Sequence, residues 1–222
     1  MQRKEVCWNI TTKCNQNCKY CHRFLGINDL CYEENERILD NLIKDGITDI
    51  TWTGGEALLY PNLISLLKKA KENGINNKLI TNGMLLAQND EIKEICNYLD
   101  SLTLSIDSTD NEINAELGRG VNHYNNIKTI LEYVKDKELK LNINTVVSKK
   151  NINQLDDLGN FLNKYKINSW RVFQFMPLRE TAEKNREQFE ISDAEFESKK
   201  GVFQKFENIM GKYMIAIIEE RK

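Results

Sequence analysis

The sequence is short of several features, and each shortage excludes a class of protein. Only two of its 222 residues are proline, so it is neither a proline-rich linker nor a collagen-like chain. No run approaches the roughly 20 apolar residues that cross a bilayer, and the first residues lack the apolar core of a signal peptide. A net charge of −2 gives no general attraction to nucleic acids or to membrane surfaces. We therefore expect a cytoplasmic globular protein that binds no nucleic acid polymer and no membrane.

Cysteine is well represented, and three of the six cysteines stand together in the run TTKCNQNCKYCHRF. Cys14, Cys18 and Cys21 have C-x3-C-x2-C spacing, which is typical of a loop that holds an iron–sulfur cluster by three of its four irons. The fourth iron is then open to a substrate, whereas a structural zinc site has four protein ligands. In a chain without an export signal, cysteines are more often metal ligands than disulfide partners. We predict that these three thiolates bind a cluster in a loop after the first strand.

The remaining cysteines and the histidine next to the motif have simpler interpretations. Cys7, Cys31 and Cys96 lie outside the motif, and we expect them to be small, buried or partly buried apolar residues. His22 directly follows Cys21, which already occupies that ligand position. We therefore expect His22 to make an ordinary hydrogen bond in a loop.

Helical and strand-like patterns alternate along the chain. Segments with apolar residues at helical spacing are each followed by a short strand-like segment, and glycine ends the first two helices. The predicted helices are 32–45, 61–73, 90–98, 123–137 and 151–165. The predicted strands are the alternating stretch around Val6–Ile10 and the segments ITDITWT, NKLIT, SLTLSI, LKLNINTVV and SWRVFQF. Such alternation predicts an α/β fold of parallel strands with right-handed helical crossovers, either an open doubly wound sheet or a curved partial barrel.

Polar residues stand where the predicted strands end, which is where ligands bind in such folds. The run TGGE follows the second strand, TNG follows the third, and Ser105 and Asp107 close the fourth. Two adjacent glycines allow a ligand to approach the backbone closely. Alone, GGE is also compatible with an ordinary strand-to-helix turn, but one strand after a cysteine motif it favours a cofactor site.

The cysteine loop, the aromatic Tyr20 before its last cysteine and the later TGGE resemble the radical S-adenosylmethionine (SAM) superfamily. The resemblance implies a partial (βα)6 barrel of parallel strands with helices outside, and one [4Fe-4S] cluster and SAM as cofactors. It also implies an electron donor such as flavodoxin or ferredoxin, because one electron from the cluster cleaves SAM to a 5′-deoxyadenosyl radical. The residues that the resemblance assigns to SAM are Tyr20 near the adenine, Thr53, Gly54, Gly55 and Glu56 at the methionine amino group, and Asn82, Ser105 and Asp107 at the ribose and carboxylate.

Later segments resemble the viperin-like enzymes of this superfamily. The resemblance rests on LSIDSTDNEINAELGRG, LNINTVVSKKN, SWRVFQF and FEISDAEFE, which occur in the family's order. It implies hydrogen abstraction from the 4′ carbon of a nucleoside triphosphate and formation of a 3′-deoxy-3′,4′-didehydro nucleotide, an antiviral chain terminator. Arg119 would then face the triphosphate or the SAM carboxylate, and Arg171 would take the position of a family lysine.

Three positions depart from that family's pattern. Asp49, Asn142 and Ser169 stand where the family has basic residues for the triphosphate. Each lost charged hydrogen bond weakens binding by about 1.5 to 3 kcal/mol. Cytidine triphosphate is therefore poorly supported as the substrate unless Lys78, Lys140 or Arg179 compensates.

The end of the chain bears on its domain organisation. We expect one radical SAM core over residues 1–178 and a C-terminal extension over residues 179–222. The family continues into a further strand that closes over the substrate, so the extension is expected to be incomplete. Two alternatives to a nucleotide-modifying enzyme remain: a radical SAM enzyme acting on a nucleoside, a peptide or another small molecule, and a non-enzymatic zinc-binding or electron-carrying module.

Overall fold

The computed structural model describes residues 3–210, and six strands lie within that range. They are β1 (Glu5–Thr11), β2 (Asp49–Gly54), β3 (Asn76–Thr81), β4 (Ser101–Ser105), β5 (Lys140–Val147) and β6 (Ser169–Gln174). All six belong to one sheet in this sequential order, and the β1–β2, β2–β3 and β5–β6 pairs are parallel. The predicted α/β fold is confirmed, and the strand order from β1 to β6 is that of the open sheet in a partial barrel.

Helices connect the strands and follow the last one. Those between strands are α1 (Tyr32–Lys44), α2 (Leu63–Glu72), α3 (Met84–Gln88), α4 (Asp90–Lys93), α5 (Asn111–Glu116), α6 (His123–Val134) and α7 (Leu155–Leu162). Those after β6 are α8 (Glu180–Lys184), α9 (Arg186–Phe189), α10 (Asp193–Glu197), α11 (Lys200–Lys205) and α12 (Glu207–Met210). Short 3-10 helices occupy Ala57–Leu59, Glu94–Tyr98 and Ile152–Gln154. Within residues 3–210, no helix has the length and apolar character needed to cross a membrane.

The described chain divides into two compact units. The first unit contains the residues up to Asn15 together with Arg23–Thr103 and Asp136–Lys140. The second unit contains Gln16–His22, Leu104–Lys135 and the described residues from Leu141 onward. The cysteine motif therefore contributes its first cysteine to the first unit and its other two cysteines to the second.

Helix α1 illustrates how the local sequence sets an element's boundaries. Cys31 and Glu34 form a reciprocal capping box at its start, in which the Glu34 carboxylate accepts the Cys31 backbone N–H at 2.9 Å. Acidic residues in the first turn and Lys44 in the last turn suit the helix dipole. Gly46, at φ +68°, follows the end of the helix, as the sequence predicts.

The predicted elements agree with the observed ones to within a few residues, except around residues 84–98. The single helix predicted over 90–98 is wrong, because that stretch is α4 followed by a 3-10 helix, and α3 before it was not predicted. Asn89 lies between α3 and α4. Its side chain accepts hydrogen bonds from the backbone N–H groups of Glu91 and Ile92 and so caps the start of α4. Helix α5 was not predicted either. The apolar segment MIAII near the C-terminus lies outside the described residues.

Candidate functional site

In the first unit, the two glycines of TGGE pack directly on the chain that leads to Cys14. A Cβ on Gly54 would collide with the carbonyl oxygen of Thr11, and a Cβ on Gly55 would collide with that of Lys13. The Gly55 N–H donates to the Thr11 carbonyl at 2.8 Å. This close approach requires glycine at both positions, and it fixes the end of β2 against the residues just before the cysteine motif.

The carboxylate of Glu56 joins the ends of β2 and β3. Glu56 is buried, with 1% of its surface exposed. Its oxygens accept the Thr81 hydroxyl at 2.7 Å, the Asn82 backbone N–H at 2.8 Å and the Leu58 backbone N–H at 3.1 Å. Hydrogen bonds to a carboxylate are stronger than neutral ones, so they hold the TNG turn firmly against TGGE. A contact between Glu56 and the methionine amino group of SAM stays a prediction.

Asn82 connects this turn to the first cysteine of the motif. Its amide oxygen accepts the Met84 backbone N–H at 2.9 Å. Its amide nitrogen donates to the Asn15 side-chain oxygen at 2.8 Å and lies 3.9 Å from the Cys14 sulfur. Asn82 therefore contacts the predicted cluster ligand of the first unit, and its predicted contact with SAM stays untested.

In the second unit, the rest of the cysteine loop is held by backbone hydrogen bonds to the LGRG segment. The N–H groups of Asn17 and Lys19 donate to the carbonyls of Gly118 and Leu117 at 3.1 and 3.0 Å. Gly118 has φ +86°, and a Cβ on it would collide with the Asn17 carbonyl and lie 2.9 Å from the Cys18 Cα. Only glycine fits both the backbone conformation and this contact, so Gly118 seats the loop that carries Cys18.

Asp107 is the centre of a buried polar network in the same unit. It is completely buried, and its carboxylate accepts the Arg119 Nε–H at 2.7 Å, the Val146 backbone N–H at 2.8 Å and the hydroxyl of Tyr20. The Arg119 guanidinium also lies 5.5 Å from the centroid of the Tyr20 ring, a cation–π distance. The structure thus brings together three of the predicted site residues: Tyr20, Asp107 and Arg119. Both carboxylate oxygens of Asp107 accept hydrogen bonds from protein groups.

Burial and the ion pair set the charge states in this network. Burial raises the pKa of Tyr20 well above its ordinary value, so its hydroxyl stays protonated and donates a hydrogen bond to Asp107. Burial by itself lowers the pKa of Arg119. The negative charge of Asp107, together with the smaller effects of its other neighbours, more than offsets burial and raises this pKa well above its ordinary value. Arg119 is therefore a permanent cation held in a fixed orientation.

A second set of side chains, which the sequence did not reveal, surrounds Cys18. The Cys18 sulfur lies 3.7 Å from the Gln16 amide oxygen, and that oxygen is also 3.5 Å from an Arg119 Nη. The Gln16 amide nitrogen lies 3.3 Å from His123 Nδ1, and His123 Nε2 lies 2.7 Å from the Ser105 carbonyl. Burial lowers the pKa of His123 to about 4, so its ring is neutral and donates from Nε2 to Ser105. The one sequence feature that could have indicated a role for Gln16 is its position between Cys14 and Cys18.

The three cysteines of the motif are chemically suited to the predicted cluster. None of the chain's six cysteines, all of which the structure describes, forms a disulfide. Cys18 is buried in an apolar cluster with Tyr20 and Phe175, and Cys21 packs against that cluster. Among residues 3–210, no three or more His, Cys, Asp or Glu side chains form a group for a single metal ion. A cluster is bound differently, because each thiolate ligates its own iron, and the donor set of three thiolates fits it.

The other predicted residues lie at strand positions around these networks. Thr53 pairs in register with Asn9 of β1, and Arg171 pairs with Asn144 of β5. Ser105 contributes its carbonyl to His123. Their roles toward SAM or a substrate stay predictions.

The expectations for the remaining cysteines are partly wrong. Cys96 is buried as expected, whereas Cys7 and Cys31 are exposed. Cys7 follows the strand alternation of β1, and Cys31 caps α1 at its solvent-facing start. His22 makes the expected hydrogen bond, with its Nε2 2.7 Å from the Met176 carbonyl.

One of the three cations that could compensate, Lys78, is already paired within the first unit. Asp49 is completely buried, and the Lys78 ammonium lies 3.2 Å from its carboxylate and 2.8 Å from that of Glu5. Arg3 also approaches Asp49, at 3.4 Å. These neighbours, together with hydrogen bonds that offset the cost of burial, lower the pKa of Asp49. Lys78 thus neutralises two acidic groups of its own unit.

A cavity of about 640 Å³ lies beside the end of β6 in the second unit. Its lining includes Gln174 and Met176 together with Lys149, Glu190 and Asp193. The volume is in the range of small-molecule sites. Carboxylates outnumber the cation in this lining, which does not suit a highly anionic ligand.

The amino-acid sequence is similar to one protein-family model and to several curated relatives. The family model described as the radical SAM superfamily matches residues 8–162. The chain is 35% identical over 207 residues to an S-adenosylmethionine-dependent nucleotide dehydratase of Flammeovirga pacifica, covering 86% of this chain and 69% of the relative. It is 32% identical over 208 residues to a protein of the same name from Lacinutrix mariniflava, covering 86% of this chain and 42% of that relative. The chain thus spans between 42% and 69% of the length of these relatives.

Solved structures agree with the fold. The crystal structure of Streptococcus suis SuiB bound to S-adenosylmethionine matches with a TM-score of 0.75 and 22% identity, covering 96% of this chain and 50% of SuiB. A likeness at that identity supports the fold and carries no further assignment.

Proposed function

The chain belongs to the radical SAM superfamily, and we propose that it removes hydrogen from the 4′ carbon of a nucleotide to form a 3′-deoxy-3′,4′-didehydro product. The abstracted hydrogen atom ends in 5′-deoxyadenosine, and the 3′ hydroxyl leaves as water with one proton and one further electron from the electron donor, so the nucleotide loses one water overall. The observation that carries the proposal is the 35% identity to a nucleotide dehydratase over 86% of the chain. The cysteine motif and the strand-end residues also lie within residues 8–162, which match the radical SAM family model.

Three thiolates are proposed to hold the [4Fe-4S] cluster: those of Cys14, Cys18 and Cys21. When bound, the cluster and SAM supply the 5′-deoxyadenosyl radical that abstracts the hydrogen atom. We assign the methionine amino group of SAM to the Thr53–Glu56 segment. Carbonyl and carboxylate oxygens suit an ammonium because it has only donors. Glu56 supports this segment by holding the ends of β2 and β3 together.

Arg119 is proposed to bind an anionic group, either the SAM carboxylate or a substrate phosphate. A guanidinium has five N–H donors in a planar fork that matches both anions. The contacts described above use its Nε–H on Asp107 and one Nη on Gln16. The contacts of Arg119 with Asp107 and Tyr20, which keep this cation in place, support the proposal. We propose that Arg171, on β6, contacts the substrate.

A less anionic substrate than a nucleoside triphosphate is a second candidate. The specific observation that favours it is the pairing of Lys78 with Glu5 and Asp49, since that lysine has its charge offset within its own unit. Nucleoside mono- and diphosphates and free nucleosides are therefore tested beside the triphosphates. The electron donor is proposed to be a flavodoxin or ferredoxin, and the location to be the reducing cytoplasm, where thiolate ligands persist.

The experiment is anaerobic reconstitution with iron and sulfide, followed by measurement of 5′-deoxyadenosine and of nucleotide products. A nucleotide that raises 5′-deoxyadenosine formation and yields a product lighter by one water supports the proposal. SAM cleavage without a dehydrated product from any nucleotide or nucleoside would favour a different substrate class. One tightly bound zinc and no 5′-deoxyadenosine would instead point to a non-enzymatic module.

A further inference from the structure

The side-chain amide of Asn82 has a fixed orientation. Its oxygen accepts the Met84 backbone N–H at 2.9 Å, and only the oxygen of an amide can do so. The nitrogen must therefore be the atom that faces Asn15 and Cys14. An amide nitrogen carries two N–H groups, and one of them donates to the Asn15 side-chain oxygen at 2.8 Å. The same nitrogen also donates to the Cys14 sulfur, 3.9 Å away.

The position of Asn82 is fixed as firmly as its orientation. It is buried, with 6% of its surface exposed, and its backbone N–H donates to Glu56 at 2.8 Å. Glu56 in turn accepts the Thr81 hydroxyl, and that same hydroxyl oxygen accepts the Gly83 N–H at 3.0 Å. The turn that carries Asn82 is therefore held on both sides of the residue.

We propose that Asn82 is a positioning residue for Cys14, whose sulfur it contacts through an N–H···S hydrogen bond that raises the reduction potential of the cluster. This inference rests on the assignment of Cys14 as a cluster ligand in the proposed function. Hydrogen bonds to the sulfurs are among the factors that set cluster potentials. An N–H group stabilises the reduced cluster more than the oxidised one, because reduction adds negative charge at the sulfur.

With both N–H groups of Asn82 used within the protein, a contact with SAM would have to use the second lone pair of the amide oxygen. Its amide oxygen is used by Met84, and its amide nitrogen is used by Asn15 and Cys14. Asn82 thus acts through the protein's own cysteine.

The test compares Asn82→Ala and Asn82→Asp with the parent chain, each reconstituted with a [4Fe-4S] cluster in the absence of SAM and nucleotide. The midpoint potential is measured by redox titration with electron paramagnetic resonance detection, and the iron and sulfide content per chain is measured alongside it. Both variants lack the N–H donor, and Asn82→Asp keeps the shape of the side chain. The potential is expected to fall by up to about 59 mV, a tenfold change in the ratio of oxidised to reduced cluster for one electron.

Asn73→Ala and Asn73→Asp are the matched controls. They make the same two changes at an exposed asparagine at the end of α2, whose amide donates to the Lys69 carbonyl at 2.8 Å, so the potential should stay at the parent value. A parent-like potential in Asn82→Ala, or an equal change in the Asn73 variants, would overturn the proposal. A chain that binds no cluster refutes the ligand assignment, whereas a normal cluster without a nucleotide product refutes only the proposed substrate.

Discussion

Replacing Asp107 by asparagine tests the buried network of the second unit. The substitution keeps the shape of the side chain but removes the charge that faces Arg119. The Arg119 side chain is 9% exposed and that of Asp107 is fully buried, so water screens little of their interaction. Asparagine also has one acceptor oxygen for the three donors that now reach the carboxylate. A buried cation and at least one buried donor are thus left without their partner.

The expected cost of Asp107→Asn is about 3 to 5 kcal/mol in the free energy of unfolding, the range for removing one partner of a buried ion pair. At about 2 to 4 °C per kcal/mol for a chain of this size, Tm should fall by about 6 to 20 °C. The assays are urea unfolding and thermal unfolding of the cluster-free chain, both followed by circular dichroism. The control Glu72→Gln changes an exposed acid at the end of α2 and should stay within about 0.5 kcal/mol of the parent chain.

A double variant separates the ion pair from general damage to the fold. Asp107→Asn combined with Arg119→Met removes both charges, so the combined cost should be smaller than the sum of the two single costs. The reasoning would be refuted if Asp107→Asn cost less than about 1 kcal/mol, or if the two single costs simply added.

The other predictions concern the cysteine motif, a glycine and a buried histidine. Cys18→Ala is expected to abolish reductive SAM cleavage and to lower the iron content after reconstitution, whereas Cys31→Ala, at an exposed thiol outside the motif, keeps both. Full activity in Cys18→Ala would disprove the ligand assignment. Gly118→Ala should lower the free energy of unfolding in urea by about 1 to 3 kcal/mol, because Gly118 has φ +86° and packs on the cysteine loop, while Gly201→Ala, in open space within α11, should cost nothing. The pKa of His123 is about 4 in the folded chain against an ordinary 6.5, so protonation favours the unfolded chain. The free energy of unfolding should therefore fall as the pH drops from about 6.5 to about 4, by up to about 3 kcal/mol more in the parent than in His123→Gln, and parallel pH profiles would contradict this.

Most elements of the fold could be predicted because their signals are local. Helices α1 and α2 have apolar residues at helical spacing, and they end before Gly46 and Gly74, both at positive φ. The stretch that contains α3 and α4 has no such clear signal. Its α-helices are only four or five residues long, which is too short to show a helical repeat of apolar residues.

The predicted site divides in the same way between local and distant signals. The cysteine spacing and the glycine pair are short motifs, so their presence could be read directly. The partners of Asp107 could not, since Tyr20 is 87 residues away and no periodic pattern marks a buried hydrogen bond. Gln16 and His123 are 107 residues apart. The exposure of Cys7 was predictable in principle, because Val6 and Trp8 on either side of it point to the opposite face of β1.

The two units support their parts of the cysteine motif by the same means, a buried carboxylate at a strand end that accepts three donors. In the first unit this is Glu56, which holds the backbone of Asn82, the residue whose amide donates to the Cys14 sulfur. In the second unit it is Asp107, which holds Arg119, and Arg119 contacts Gln16 beside Cys18. Glu56 orients Asn82, and Asp107 orients Arg119. Removing the charge of either carboxylate should therefore displace the side chains next to a cysteine, although those side chains are not mutated, and so lower cluster content.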